Sequence, residues 1–77
     1  MPRDERYTTF EQALTSARIR KGLTQREMAA RLNKPQSYIS KYEGGERRLD
    51  VIEALDVCAA LGISLKEIIA EISPGHD

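Results

Sequence analysis

Apolar residues recur every three or four positions along most of the chain, and short polar breaks divide them into five groups. That period belongs to amphipathic helices. No stretch alternates at period two between hairpin-type turns, so strands are not expected. Phe10, Leu14 and Ala17 form the first stripe. Thr8 or Thr9 is expected to cap that helix, with Glu11 or Gln12 three residues on. Lys21-Gly22 should end it, because glycine accepts the left-handed backbone of a C-terminal cap. Met28, Ala29 and Leu32 form the second stripe, opened by Thr24-Gln-Arg-Glu27 at the spacing of a capping box. Asn33-Lys34-Pro35 predicts a tight turn: Asn tolerates positive φ, and Pro suits the first turn of a new helix.

The third helix is expected from about Pro35 to Glu43, with Ile39 and Tyr42 inward and Gly44-Gly45 at its end. Asp50-Val-Ile-Glu53 and Ser64-Leu-Lys-Glu67 are two further capping boxes. They predict helices over about 50–61 and 64–72, separated at Gly62. Leu65, Ile68, Ile69 and Ile72 make a regular stripe on the last helix. The fold class expected is all-α, a compact five-helix domain over residues 9–72. Residues 1–8 read as a flexible N-terminal arm and 73–77 as a disordered tail.

The fourth group is unusual. Only Glu53 and Asp56 are polar inside an otherwise apolar helix. Such a helix is usually covered on more than one side. A domain of 77 residues rarely encloses a helix fully, so Ile52, Leu55 and Ala59 are expected to pack on a second copy.

Composition narrows the function. The chain is 40% hydrophobic and 31% charged, a globular balance for one small domain. No run approaches the roughly 18 apolar residues of a membrane span. No apolar stretch follows the N-terminal Met-Pro-Arg-Asp-Glu-Arg, so no signal peptide and a cytoplasmic location are expected. The single Cys58 reads as a small core residue in a reducing compartment. The only histidine is His76, next to the C-terminal residue, and no glycine-rich phosphate loop or metal-ligand spacing occurs. The chain is therefore read as a non-enzyme that uses no cofactor or metal, and it shows no evident small-molecule site.

The formal net charge of zero hides a gradient. Residues 1–48 carry eleven basic against six acidic residues, +5, and residues 49–77 carry one against six, −5. A basic half points toward nucleic acid, although an uneven solvated surface would give the same numbers.

Helices two and three, joined by a tight turn, make a candidate helix-turn-helix. Here the chain resembles the lambda-repressor/Cro-like (XRE) family of DNA-binding domains. The residues that carry the resemblance are Gly22-Leu-Thr-Gln-Arg-Glu-Met-Ala-Ala-Arg-Leu32, Pro35-Gln-Ser-Tyr-Ile-Ser-Lys-Tyr-Glu-Gly-Gly45 and Ala60-Leu-Gly-Ile-Ser-Leu65. It spans about residues 9–72. Asn33 and Lys34 depart from it, where Gly and an apolar residue are common.

The resemblance implies sequence-specific binding to double-stranded DNA, with the third helix in the major groove. With Ile39 and Tyr42 inward, Gln36, Ser37, Ser40 and Lys41 are left to read base edges. Gln can pair bidentately with adenine and Lys with guanine. The resemblance puts Gln36 in the main reading position, Lys41 in another, and Gln25 on a phosphate. Thr24 joins Gln25 at the start of helix two, where amide donors and the helix dipole favour an anion. Arg26, Tyr38, Arg47 and Arg48 are expected on flanking phosphates. Arg18 and Glu43 match a pair that forms an ion pair beneath the DNA-binding surface.

The expected function is a transcriptional regulator, a homodimeric repressor reading an inverted repeat with half-sites about 34 Å apart. The alternatives are an antitoxin that binds a partner toxin and its own promoter, and a DNA-binding piece of a larger regulator.

Overall fold

The computed structural model describes residues 4–72. Residues 1–3 of the expected arm and the expected 73–77 tail, His76 included, lie outside them. Five helices follow in order: α1 (Glu5–Arg20), α2 (Gln25–Leu32), α3 (Gln36–Glu43), α4 (Val51–Leu61) and α5 (Leu65–Ile72). Among the described residues there is no strand.

The first helix starts earlier than its threonines suggest. Asp4 is the cap: its carboxylate accepts the Arg6 amide at 2.9 Å and holds the Arg6 guanidinium, Nη2 at 2.6 Å. Thr9 sits inside the helix, its hydroxyl donating to the Glu5 carbonyl at 3.2 Å. Residues 5–8, expected in a loose arm, are therefore helical. An Asp cap with a charge-assisted clasp outcompetes a Thr cap one turn later, because it satisfies the same free amides and extends the helix by a turn.

The other boundaries follow local chemistry. Thr24 and Glu27 form a complete capping box on α2, as Asp50 and Glu53 do on α4. On α5, Ser64 Oγ accepts the Glu67 amide at 3.2 Å. Asn33 closes α2 at φ 55°, the turn strain a glycine would avoid. Gly62 ends α4 at φ 73°.

One core joins all five helices. Leu14, Ala13 and Ala17 of α1 meet Met28 and Ala29 of α2, Ile39 and Tyr42 of α3, Val57, Cys58 and Leu61 of α4, and Ile68 of α5. The large aliphatic side chains each contribute about 1.5–3 kcal/mol on burial. Cys58 is buried among them, and burial pushes its thiol upward from the usual range, away from the reactive thiolate.

Helix α4 turns Ala54, Val57, Cys58 and Leu61 inward. Its other side is open: Val51 is 68% exposed, Ile52 65% and Leu55 47%, with Ala59 also exposed. Ile69 of α5 is 48% exposed, so the apolar stripe of α5 is only partly used by the core. A groove between α1, α4 and α5, lined by Tyr7, Phe10, Val51, Leu65 and Ile69, continues this open apolar surface.

Candidate nucleic-acid interface

Helices α2 and α3 are joined by the short turn Asn33-Lys34-Pro35, and Lys34 donates its amide back to the Ala29 carbonyl at 3.0 Å. Met28, Ala29, Ile39 and Tyr42 take the inner faces of the pair. What remains on α3 is polar. Gln36, Ser37, Ser40 and Lys41 are all exposed. The Ser40 hydroxyl donates back to the Ser37 carbonyl at 3.2 Å, so it is partly spent within the helix.

Gln36 is not loose on this surface. Its Nε2 donates to Gln25 Oε1 and its Oε1 accepts Arg26 Nε, both at 3.4 Å. Gln25 is held in turn, its Nε2 donating to Glu43 Oε1 at 3.0 Å. Glu43 accepts Arg18 Nε at 2.8 Å and Nη2 at 3.1 Å, and Arg18 Nη1 donates to the Leu23 carbonyl at 2.6 Å. One polar chain thus runs from the start of α3 through α2 to α1. The Glu43 carboxylate raises the Arg18 pKa above its usual value, by hydrogen bonding first. Every buried side-chain nitrogen and oxygen among the described residues has a partner.

At the start of α2, the capping box occupies the Thr24 and Glu27 amides: Glu27 Oε1 accepts the Thr24 amide at 2.8 Å, and Thr24 Oγ1 accepts the Glu27 amide at 3.0 Å. The Thr24 amide donating to its carboxylate, with the Thr24 hydroxyl second, holds the Glu27 carboxyl below its usual range. Thr24 and Arg26 remain exposed beside them, with Gln25 half-buried.

The residues expected on the flanks divide. Arg48 is exposed and stacks over the ring of Tyr7, 4.3 Å from its centre. Arg47 and Tyr38 face each other instead. The Arg47 guanidinium lies 4.8 Å from the Tyr38 ring centre and forks onto Glu53, with Nη1 to Oε1 at 3.1 Å and Nη2 to Oε2 at 2.5 Å. Tyr38 is half-buried against the core, edge-on to Tyr42 at 5.7 Å. The fork onto Arg47 holds the Glu53 carboxyl at about 2. Lys34 stands exposed on the same ring, Nζ 5.3 Å from its centre.

Sequence reasoning missed three of these features. Glu53 was legible as a cap but not as the partner of Arg47. Gln25 was legible as a polar group at a helix start but not as a bridge between Gln36 and Glu43. The Tyr7–Arg48 stack joins residues 41 apart and leaves no local signal. Among the described residues no cluster of His, Cys, Asp and Glu could hold a metal ion.

Comparison with known proteins agrees with this architecture. The helix-turn-helix family model matches residues 14–68. An uncharacterized HTH-type transcriptional regulator, y4dJ of Sinorhizobium fredii, is 44% identical over 55 residues, covering 69% of this chain and 71% of that protein. An XRE-family like protein from Pseudomonas syringae pv. tomato is 44% identical with a TM-score of 0.83, over 88% of this chain and 83% of its own. The clp gene regulator ClgR of Corynebacterium glutamicum is 29% identical with a TM-score of 0.84, over 99% of this chain and 97% of its own. The match of the family model across the core and both helices of the α2–α3 unit, with the five-helix likeness to solved relatives, shows that this chain belongs to the XRE-type helix-turn-helix family.

Proposed function

We propose that the chain is a sequence-specific regulator of transcription that binds double-stranded DNA through α3. The observation that carries this reading is Gln36. It is exposed at the first turn of α3, and its amide is oriented by Gln25 and Arg26. An exposed amide that offers both a donor and an acceptor at the helix start suits bidentate pairing with an adenine edge. Ser37 and Lys41 extend the same exposed surface, and membership of the helix-turn-helix family supports the placement. Phosphates would be met by Thr24, Arg26 and Arg48 around that surface, with the α2 dipole adding to their charge.

The regulator acts as a homodimeric repressor on an inverted repeat. Support for the dimer comes from Ile52, Leu55 and Ala59, which lie exposed together on α4. Two copies joined there would present two α3 helices to half-sites about one turn of DNA apart. The chemistry is binding without catalysis and without a cofactor. Its place of work is the cytoplasm, with the DNA. No described helix is long and apolar enough to cross a membrane.

The test is selection of bound duplexes from a random pool at moderate salt. An inverted repeat supports the dimeric regulator, and a single half-site supports a monomer or a piece of a larger regulator. No enrichment ends the DNA reading. A second reading, an antitoxin that holds a toxin, is favoured by the same exposed apolar residues of α4 and by Ile69. A protein co-purifying in fixed ratio on that face supports it.

A further inference from the structure

Tyr38 lies on the candidate recognition helix and Arg47 in the loop that follows it, and each is engaged by the other. Both terminal nitrogens of Arg47 donate to Glu53, and Nη1 also donates to the Arg48 carbonyl at 3.1 Å. The flat guanidinium covers the Tyr38 ring, and Tyr38 leans edge-on against Tyr42, which is fully buried in α3. Glu53 is held a second time, because Oε1, which already accepts Arg47 Nη1, also accepts the Asp50 amide at 3.0 Å within the α4 capping box. An unbroken line of contacts therefore runs from the start of α4 through the 44–49 loop into α3.

We infer that Arg47 serves the DNA interface as a brace rather than as a phosphate ligand, and that Glu53 is its anchor, a positioning residue for α3 and the loop that follows. This rests on the DNA-binding reading above. A phosphate would find only the second Nη2 hydrogen and Nε–H unspent, and drawing the guanidinium toward it would pull against a charge-assisted fork, among the stronger hydrogen-bonding arrangements in proteins. The brace also fixes the backbone at Arg48, the neighbouring residue whose guanidinium stacks at the surface on Tyr7. In this arrangement Arg47 sets where the loop stands, and Arg48 is the loop's cation for DNA.

Three variants of the full chain separate brace from ligand, with duplex affinity read by fluorescence anisotropy across a range of salt. Circular dichroism melts set a temperature at which every variant is folded. Arg47→Lys keeps a charge within reach of a phosphate but cannot grip both Glu53 oxygens or lie flat on Tyr38. Glu53→Gln keeps α4 capped, because a capping box accepts Gln at that position. By charge alone it would tighten DNA binding, since it removes a negative group. Arg47→Met removes the charge and reports on ion release.

Under the brace, Arg47→Lys and Glu53→Gln each weaken binding about three- to tenfold, and the double variant is no weaker than either alone. Arg47→Met then leaves the slope of log affinity against log salt at its wild-type value. The brace is overturned if Glu53→Gln binds as well as or better than wild type, or if Arg47→Lys binds at full strength. It is equally overturned if Arg47→Met lowers the slope by about 0.9 for each protomer, the mark of a lost phosphate contact. A wild-type chain that binds no duplex removes the DNA reading and the brace together. A wild type that binds while the variants follow the second pattern removes the brace alone.

Discussion

Arg18 and Glu43 meet as two parallel forks, Nε to Oε2 at 2.8 Å and Nη2 to Oε1 at 3.1 Å. The pair ties the last turn of α1 to the last residue of α3 across 25 positions of sequence. Both side chains are shielded, 12% and 7% exposed, so the charges depend on each other rather than on water. Glu43→Gln should cost about 3 kcal/mol in urea unfolding, because it leaves the Arg18 charge facing a neutral amide. Replacing both, as Arg18→Met with Glu43→Leu, should recover most of that loss. A single variant as stable as the parent would show that the pair adds nothing to folding.

Gln36→Ala should weaken binding to the selected duplex by about 1–3 kcal/mol and relax base preference at one position of each half-site. The salt dependence should not change, since no phosphate charge is lost. Competition binding with duplexes altered one base pair at a time checks this. An unchanged preference would remove Gln36 from the reading surface.

Ile52→Asp or Leu55→Asp should convert the protein to a monomer in sedimentation at micromolar concentration. Both positions are exposed in a single copy, so an aspartate there costs the isolated fold little. In an apolar interface the same charge would be buried unpaired. A dimer that survives both changes does not use this face of α4.

Acid should unfold the protein through a defined group. Glu53 has its carboxyl lowered to about 2, first by the fork onto Arg47 and then by the Asp50 amide. A lowered folded-state pKa means that the unfolded chain binds protons more readily. The stability from Glu53 is therefore complete above the ordinary carboxylate range and is lost as pH falls through that range toward about 2. Asp4, held at about 2 by Arg6, falls in the same window. Glu53→Gln should flatten the fall in melting temperature between about pH 4.5 and pH 2 relative to wild type. An identical acid profile in the variant would place the acid-sensitive groups elsewhere.

Much of the fold was legible along the chain because its signals are local. Thr24 with Glu27 and Asp50 with Glu53 satisfy free amides three residues away, so the spacing alone announces a helix start. Asn33 and Gly62 stand where the backbone turns left-handed, a demand few other residues meet. The inward positions Leu14, Met28, Ile39, Tyr42 and Ile68 follow from helical period. The start of α1 was also local but ambiguous. Thr8 or Thr9 is the expected cap and Asp4 is passed over, yet the Asp4 carboxylate caps the helix and is clasped by Arg6.

Other features needed the helices to be packed. Sequence determined that Gln36, Arg47 and Glu53 are polar residues near helix ends, because propensity and capping act within a few residues. Only the tertiary structure decided that Gln36 is held by Gln25 and Arg26, and that Arg47 spends its fork on Glu53 over Tyr38. A side chain chooses among partners by distance and direction, and those exist only once α3 and α4 lie at a fixed angle on one core. The same reason holds for α4, whose sequence is apolar nearly all round. Its contacts with the core chose Ala54, Val57, Cys58 and Leu61 for the inside and left Val51, Ile52 and Leu55 in water.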